Sequence, residues 1–324
     1  MMKKVYVTRL IPQKALDILR PECQLEVNPH DRVLEKEELV AAAYGAEGLL
    51  CLLTDQIDAE LLDQLPRLRL VANCAVGYDN INVQACTQRN IAVSNTPGVL
   101  TETTADMAWA LLMAAARRVV EADQYVRKGK FKGWAPMLFL GREVNRKVLG
   151  VIGMGRIGMA VAKRAVGFNM PVIYYNPTRK SLEEERRLGI LYRDLETLLK
   201  EADYISIHVP LSEKTRHLIG EQELKRMKKS AYLINTSRGP VINEKALVQA
   251  LRDDELAGAA LDVYEEEPEL APGLAELKNV TLAPHIASAT VETRTRMAVM
   301  AAENLLTGLK GEKIPNLINP EINR

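Results

Sequence analysis

The chain has 324 residues, enough for two domains of roughly 150 residues each and for a core that needs no disulfide or metal staple. Apolar residues make up 47% and charged residues 26%, and 43 basic against 42 acidic side chains leave a formal charge of +1, which excludes the electrostatic footprint of a nucleic-acid or anionic-membrane binder. The longest apolar run, Met107 to Ala116, is far short of a bilayer span, and the brief Val5-Tyr6-Val7 after Lys3 and Lys4 makes no secretory signal, so a cytoplasmic globular protein is expected.

Lys4 to Thr8 reads as a strand, a helical stretch follows from Pro12, and Gly48 to Leu52 and Leu70 to Ala72 are further buried strands. Cys23, Cys51, Cys74 and Cys86 fall in this first third with neither C-x-x-C spacing nor a nearby His pair. They read as small apolar fillers rather than metal ligands, and no metal is expected. Asn95-Thr96-Pro97-Gly98 marks a turn, after which a long helical pattern starts near Thr103, with Asp106 completing a capping box, and runs to about Lys128.

From Lys147 strands and helices alternate. Val148 to Ile152 precedes a glycine turn and a helix ending near Gly167. Strand Val172 to Tyr175 comes next, then a helix opened by Ser181 and Glu184 and closed at Gly189. Four more strand-like runs follow, at Tyr204–Val209, Ala231–Asn235, Ala257–Val263 and Val280–Ala283, with helical patterns such as Asn243 to Leu251 between most of them. Such alternation predicts a doubly wound parallel sheet covered on both faces. Residues 99–287 are expected to form this domain, inserted into a smaller α/β domain made of 1–98 and 288–324, whose final helix (Thr290 to Leu309) packs back on the first lobe. Two crossovers between domains would leave a cleft, a common place for ligands.

Gly153-Met154-Gly155-Arg156-Ile157-Gly158 fits G-x-G-x-x-G directly after a buried strand and before a helix, the context in which that motif binds a dinucleotide pyrophosphate. About 20 residues on, where a carboxylate would bond a ribose 2′-OH, stands Asn176, followed by Thr178, Arg179 and Lys180. Asn does not repel a 2′-phosphate and the basic pair can bind one, although the same pair also fits a solvated helix start. NADP(H) is favoured, with NAD(H) possible.

The carboxyl ends of the later strands, where open parallel sheets bind ligands, carry His208-Val209-Pro210, Thr236-Ser237-Arg238-Gly239, Asp262 through Glu267-Pro268, and Pro284-His285. Taken singly these read equally as a surface Arg, a solvated acidic run and a His capping backbone. Together they offer an acid/base and an anion anchor beside a hydride carrier.

With Val76-Gly77-Tyr78-Asp79-Asn80, Ile234-Asn235-Thr236-Ser237-Arg238-Gly239, Asp262 to Pro268 and Pro284 to Thr290, the chain resembles the D-isomer-specific 2-hydroxyacid dehydrogenases over essentially its whole length. It looks most like the glyoxylate/hydroxypyruvate reductases, through Ser288-Ala289-Thr290, Thr293-Arg294 and Gly133-Trp134-Ala135-Pro136. The resemblance implies a Rossmann-type domain inserted into a flavodoxin-like one. It implies a catalytic trio of Arg238, Glu267 and His285, with the substrate carboxylate received by Arg238 and the N–H groups of Val76 and Gly77. Arg156 and Ile157 would give backbone donors to pyrophosphate, Val209 and Pro210 would wall the adenine side, Thr236 would touch the cofactor, and Asp262 would hold the nicotinamide carboxamide. The chemistry of each type fits: a guanidinium fork for a carboxylate, and an imidazole whose protonated form a neighbouring carboxylate favours. His208 reads as structural, and His30 and His217 give no signal.

Relatives that oxidise 3-phosphoglycerate tend to carry Arg where this chain has Asn73, and the sequence ends at Arg324 without an appended regulatory domain, so a small unphosphorylated 2-oxo or 2-hydroxy acid is expected. D-lactate, formate and 3-phosphoglycerate oxidation, and a dinucleotide-sensing corepressor on the same fold, remain the alternatives. The apolar stretch Trp134 to Leu140, which in similar reductases reaches the neighbouring subunit's site, predicts a two-fold homodimer built on the cofactor domains.

Overall fold

Short apolar runs become strands of two all-parallel sheets in the computed structural model, which describes residues 2–322. Contacts divide the chain into Met1–Leu100 with Ala289–Arg324, and Thr101–Ser288.

In the first unit β1 (Lys3–Val7), α1 (Gln13–Leu19), β2 (Cys23–Val27), α2 (Lys36–Ala43), β3 (Gly48–Cys51), α3 (Ala59–Asp63), β4 (Leu70–Asn73), α4 (Val83–Gln88) and β5 (Ala92–Ser94) alternate. The strand order β2-β1-β3-β4-β5 is the flavodoxin-like one. Every residue of β3 and β4 is buried, as strands covered on both faces must be.

The second unit begins with α5 (Thr101–Ala116) and α6 (Val119–Arg127). Here the expected single helix is corrected. It starts earlier, at Thr101, with Asp106 paired to Arg164, and it breaks where Arg118 takes φ 54°. Arg142 N then donates to the freed carbonyl of Ala116 at 2.8 Å, so the chain after α6 folds back onto the end of α5. The sheet follows as β6 (Leu149–Ile152), α7 (Arg156–Ala165), β7 (Val172–Tyr175), α8 (Leu182–Leu188), β8 (Ile190–Tyr192), α9 (Leu195–Glu201), β9 (Tyr204–Ile207), α10 (Glu221–Arg226), β10 (Tyr232–Asn235), α11 (Glu244–Arg252), β11 (Gly258–Leu261) and β12 (Val280–Leu282). Its order, β12-β11-β10-β9-β6-β7-β8, is the Rossmann order with one strand added, and it reverses direction beside β6. Trp109 of α5 stacks on Phe168 at 4.7 Å and donates to the Val161 carbonyl, locking α5 against α7.

The chain ends with α12 (Val291–Leu309), capped by Thr290, which buries Met297, Ala298, Ala301, Ala302, Leu305 and Leu309 with Val5, Leu50 and Leu70 in the core of the first unit. Among the described residues no helix is long and apolar enough to cross a membrane.

Candidate active site

The glycine turn is built by exclusion of side chains. Gly153 has φ 98°, and a Cβ there would stand 2.6 Å from the His208 carbonyl, while one on Gly158 would stand 2.1 Å from the Gly153 oxygen. A Cβ on Gly155 would meet only open space, at the amino end of a ten-residue helix that begins with Arg156 and Ile157. That opening, faced by free helix N–H groups, is a cradle for a pyrophosphate. These residues therefore fit a dinucleotide. Thr236 Oγ1, buried at the end of β10, finds no partner among the described residues, which also suits a bound group there.

At the end of β7, Asn176 Oδ1 accepts from Met154 N at 3.2 Å and Nδ2 donates to the Thr178 carbonyl at 3.0 Å, tying the second strand to the glycine turn. Arg179 stacks on Tyr192, and its Nε and Nη2 both donate to the buried Glu185 at 2.7 Å. Tyr174 donates to the same carboxylate at 2.8 Å. The Arg179 bonds hold Glu185 down to about 2. The sequence alone presents Arg179 as a free fork and hides Glu185 behind the capping box of α8. Val209 is buried and Pro210 exposed at the end of β9. His208 Nε2 lies 2.8 Å from Ser206 Oγ, and burial pushes its pKa down to about 3, so the ring stays neutral, in keeping with a structural role.

The catalytic candidates converge at the carboxyl ends of β10 to β12. His285 Nδ1 donates to Glu267 Oε2 at 2.8 Å, and Glu267 Oε1 accepts from Tyr264 N at 2.9 Å. Burial pushes the Glu267 carboxyl up, but the bond and charge of His285, the Tyr264 amide and the charge of Arg238 outweigh it and hold the pKa below the usual value. With Nδ1 engaged, Nε2 is the nitrogen left to exchange a proton. Arg238 Nη1 is steadied by the Ser237 carbonyl at 2.9 Å. Directly after it, Gly239 lies so close to Tyr264 that a Cβ would overlap that residue's carbonyl, so the loops carrying Arg238 and Glu267 are in contact.

Asp262 is wholly buried at the end of β11. Its two oxygens accept from Ile286 N and Ala287 N at 2.8 and 2.7 Å, and its carbonyl accepts from His285 N at 2.9 Å. These bonds shape the turn in which His285 adopts φ 54°, a region that non-glycine residues seldom enter. Burial raises the Asp262 pKa, an effect the two amides oppose. The family resemblance aims Asp262 at a carboxamide, while the residue itself also reads as a strand-ending turn residue, and holding this turn fits the second reading.

In the first unit, the turn after β4 has its carbonyls tied down: Asn95 donates to Val76 O at 2.8 Å and Asn73 to Gly77 O at 2.9 Å. Because a carbonyl shares its peptide plane with the next residue's N–H, the Asn95 bond orients the Gly77 amide, and the bond from Thr96 N to the Ala75 carbonyl at 2.9 Å orients the Val76 amide.

Residues 109–287 match the family described as D-isomer specific 2-hydroxyacid dehydrogenase, NAD binding domain. A glyoxylate reductase of Korarchaeum cryptofilum is 53% identical over 325 residues, covering 99% of this chain and 97% of that protein. A solved protein of Thermus thermophilus superposes with a TM-score of 0.91 at 47% identity, covering 97% of this chain and 99% of that one. An NADPH-dependent glyoxylate/hydroxypyruvate reductase of Sinorhizobium meliloti, solved with NADP and malonate, gives a TM-score of 0.89 at 30% identity, with 100% of this chain and 99% of that one covered. With its glycine cradle and its doubly wound sheet, the chain belongs to the D-isomer-specific 2-hydroxyacid dehydrogenases and is an NAD(P)-dependent dehydrogenase acting as a 2-oxo acid reductase.

Proposed function

We propose that this enzyme reduces glyoxylate or hydroxypyruvate to the 2-hydroxy acid, with NADPH favoured and NADH still used. The observation that carries the reading is the Glu267–His285 couple beside Arg238 at the strand ends of a dinucleotide fold. The nicotinamide, when bound, supplies the hydride. Arg238 receives the substrate carboxylate through its planar fork. His285 Nε2 delivers the proton to the forming alkoxide, and Glu267 holds the ring through Nδ1 before and after transfer. The Val76 and Gly77 amides, oriented through the bonded Ala75 and Val76 carbonyls, are donors suited to a carboxylate. Asn73 itself brings no cation for a phosphorylated substrate.

For the cofactor, Gly153, Gly155, Gly158 and the amides of Arg156 and Ile157 take the pyrophosphate, with Val209, Pro210 and Thr236 along its length. Asn176 leaves the ribose position without a repelling charge. Arg179 keeps its Nη1 end for a 2′-phosphate while its other edge is held by Glu185. The Sinorhizobium reductase, NADPH-dependent by description, supports this choice. Initial rates of NADPH and NADH oxidation with glyoxylate, hydroxypyruvate, pyruvate, larger 2-oxo acids and a phosphorylated 2-oxo acid test it. Turnover of none overturns the enzymatic reading in favour of a sensing role, and a phosphorylated preference overturns the substrate.

A two-fold homodimer is part of the proposal. Among its residues α6 buries none, and Val119, Val120, Val126, Phe131, Trp134, Met137 and Leu140 are all exposed, Trp134 by 85%. A second copy of this chain would cover this surface. A monomeric mass by light scattering at assay concentration overturns it.

A further inference from the structure

Glu244, the first residue of α11, is a buried carboxylate, and its two oxygens are bonded to main-chain amides. Oε2 accepts from Glu265 N at 2.7 Å and Oε1 from Ala271 N at 3.1 Å. Those two amides bracket Glu267 on either side. The clasp is reciprocal, since Glu244 N donates to Glu265 Oε2 at 3.1 Å. Glu265 Oε1 in turn accepts from His217 Nε2 at 2.5 Å. His217, at φ 51°, donates its own N–H to the Pro240 carbonyl, two residues beyond Arg238.

One connected set of bonds thus joins the segment carrying Arg238, the start of α11 and the loop carrying Glu267. A carboxylate taken out of water is costly, and one satisfied by amides of a single loop orders that loop strongly. We propose that Glu244 is a positioning residue for catalysis, with Glu265 and His217 as its outer links, holding the 264–271 loop so that Glu267 stays on His285 while Arg238 keeps its place beside them. The proposal rests on the reading of Arg238, Glu267 and His285 as the catalytic trio. The charged groups bearing on the set are His217 and Arg216 around Glu265, which also accepts from the Glu244 amide, and His285, Arg238 and Asp262 around Glu267.

The test uses the full-length enzyme and the pH profile of kcat/KM for glyoxylate reduction, with Glu267→Gln as reference. Gln at 244 has one carbonyl oxygen for two amides, so Glu244→Gln releases one side of the loop. Its kcat is expected to fall about 10- to 100-fold, as misplacement of a reacting group does. The limb of its profile that falls with rising pH is expected to move to lower pH, in the direction of Glu267→Gln but less far, with KM for NADPH retained. His217→Ala should shift the profile partway, and His217→Gln, which keeps a donor to Glu265, should recover most of that loss. A purely structural clasp would lower the melting temperature and leave the wild-type profile. If Glu267→Gln shifts the profile while Glu244→Gln and His217→Ala do not, the clasp is overturned and the trio stands. If Glu267→Gln behaves as wild type, the trio is overturned and the clasp with it. Should Glu244→Gln fail to fold, the two variants at the partly exposed His217 decide the matter alone.

Discussion

The β6–β8 side and the β10–β12 side of one sheet solve binding in different ways. On the first, the anion cradle is main chain: its donors are helix N–H groups, and the sequence supplies glycines so that nothing blocks them. On the second, the groups proposed for proton transfer are side chains, and buried carboxylates grip main-chain amides of the turns that carry them. Asp262 grips the His285 turn and Glu244 grips the Glu267 loop. A cradle made of backbone tolerates many neighbours, whereas an imidazole must be aimed, so the proton-transfer side needs the deeper scaffolding.

The difference predicts that substitutions on the second side reduce turnover at constant cofactor affinity, while those on the first change cofactor choice at nearly constant chemistry. The largest effect is expected for His285→Ala, which should lower kcat by roughly 10²–10⁴ with the Kd for NADPH nearly unchanged by fluorescence titration. Wild-type turnover would remove His285 from the reaction. Arg238→Lys keeps the charge and loses the fork, so KM for the oxo acid should rise by about one to two decades in steady-state rates. An unaltered KM and kcat would exclude it as the anchor.

On the cradle side, Asn176→Asp should move the ratio of kcat/KM for NADPH over NADH towards NADH by about one to two decades, a charged contact being worth about 1.5–3 kcal/mol. No change in that ratio would separate Asn176 from cofactor choice. The smallest effect concerns stability. Glu185 titrates near 2 in the fold against an ordinary value of 4.5, so its contribution is complete above 4.5 and is lost as pH falls towards 2. The melting temperature of Glu185→Gln should therefore lie below wild type at pH 6, with the gap narrowing as the pH is lowered towards 3. A gap independent of pH would show that packing, not the Arg179 pair, accounts for it.

What the sequence made legible follows the same division. The glycine spacing after Val148 to Ile152 announces the cradle because steric exclusion leaves a residue-type signature. The proposed catalytic trio comes from the 2-hydroxyacid dehydrogenase motifs, and chemistry alone does not single out Glu267 among Glu265, Glu266 and Glu267. Glu244 left no trace, because its partners are amides 21 and 27 residues away, and every residue but proline has an amide. Strands β2, β5 and β8 escaped the reading: β2 and β8 are half-exposed, and β5 is three residues long at a sheet edge. The break between α5 and α6 was hidden because Arg118 carries no sign of its left-handed backbone, which Gly141, packed on the Ala116 carbonyl, accompanies.

The pairing of Arg179 with Glu185 has a consequence for redesign. Replacing Arg179 to change the cofactor strands a carboxylate and the Tyr174 hydroxyl beneath it, so a single exchange alters the foundation of α8 as well as the ribose pocket. If Arg179 reads the cofactor as proposed, cofactor preference and local folding are inherited together at this position. Laboratory or natural drift from one dinucleotide to the other would pass through Glu185 as well as Arg179, with neutral partners such as Gln at 185 arriving first.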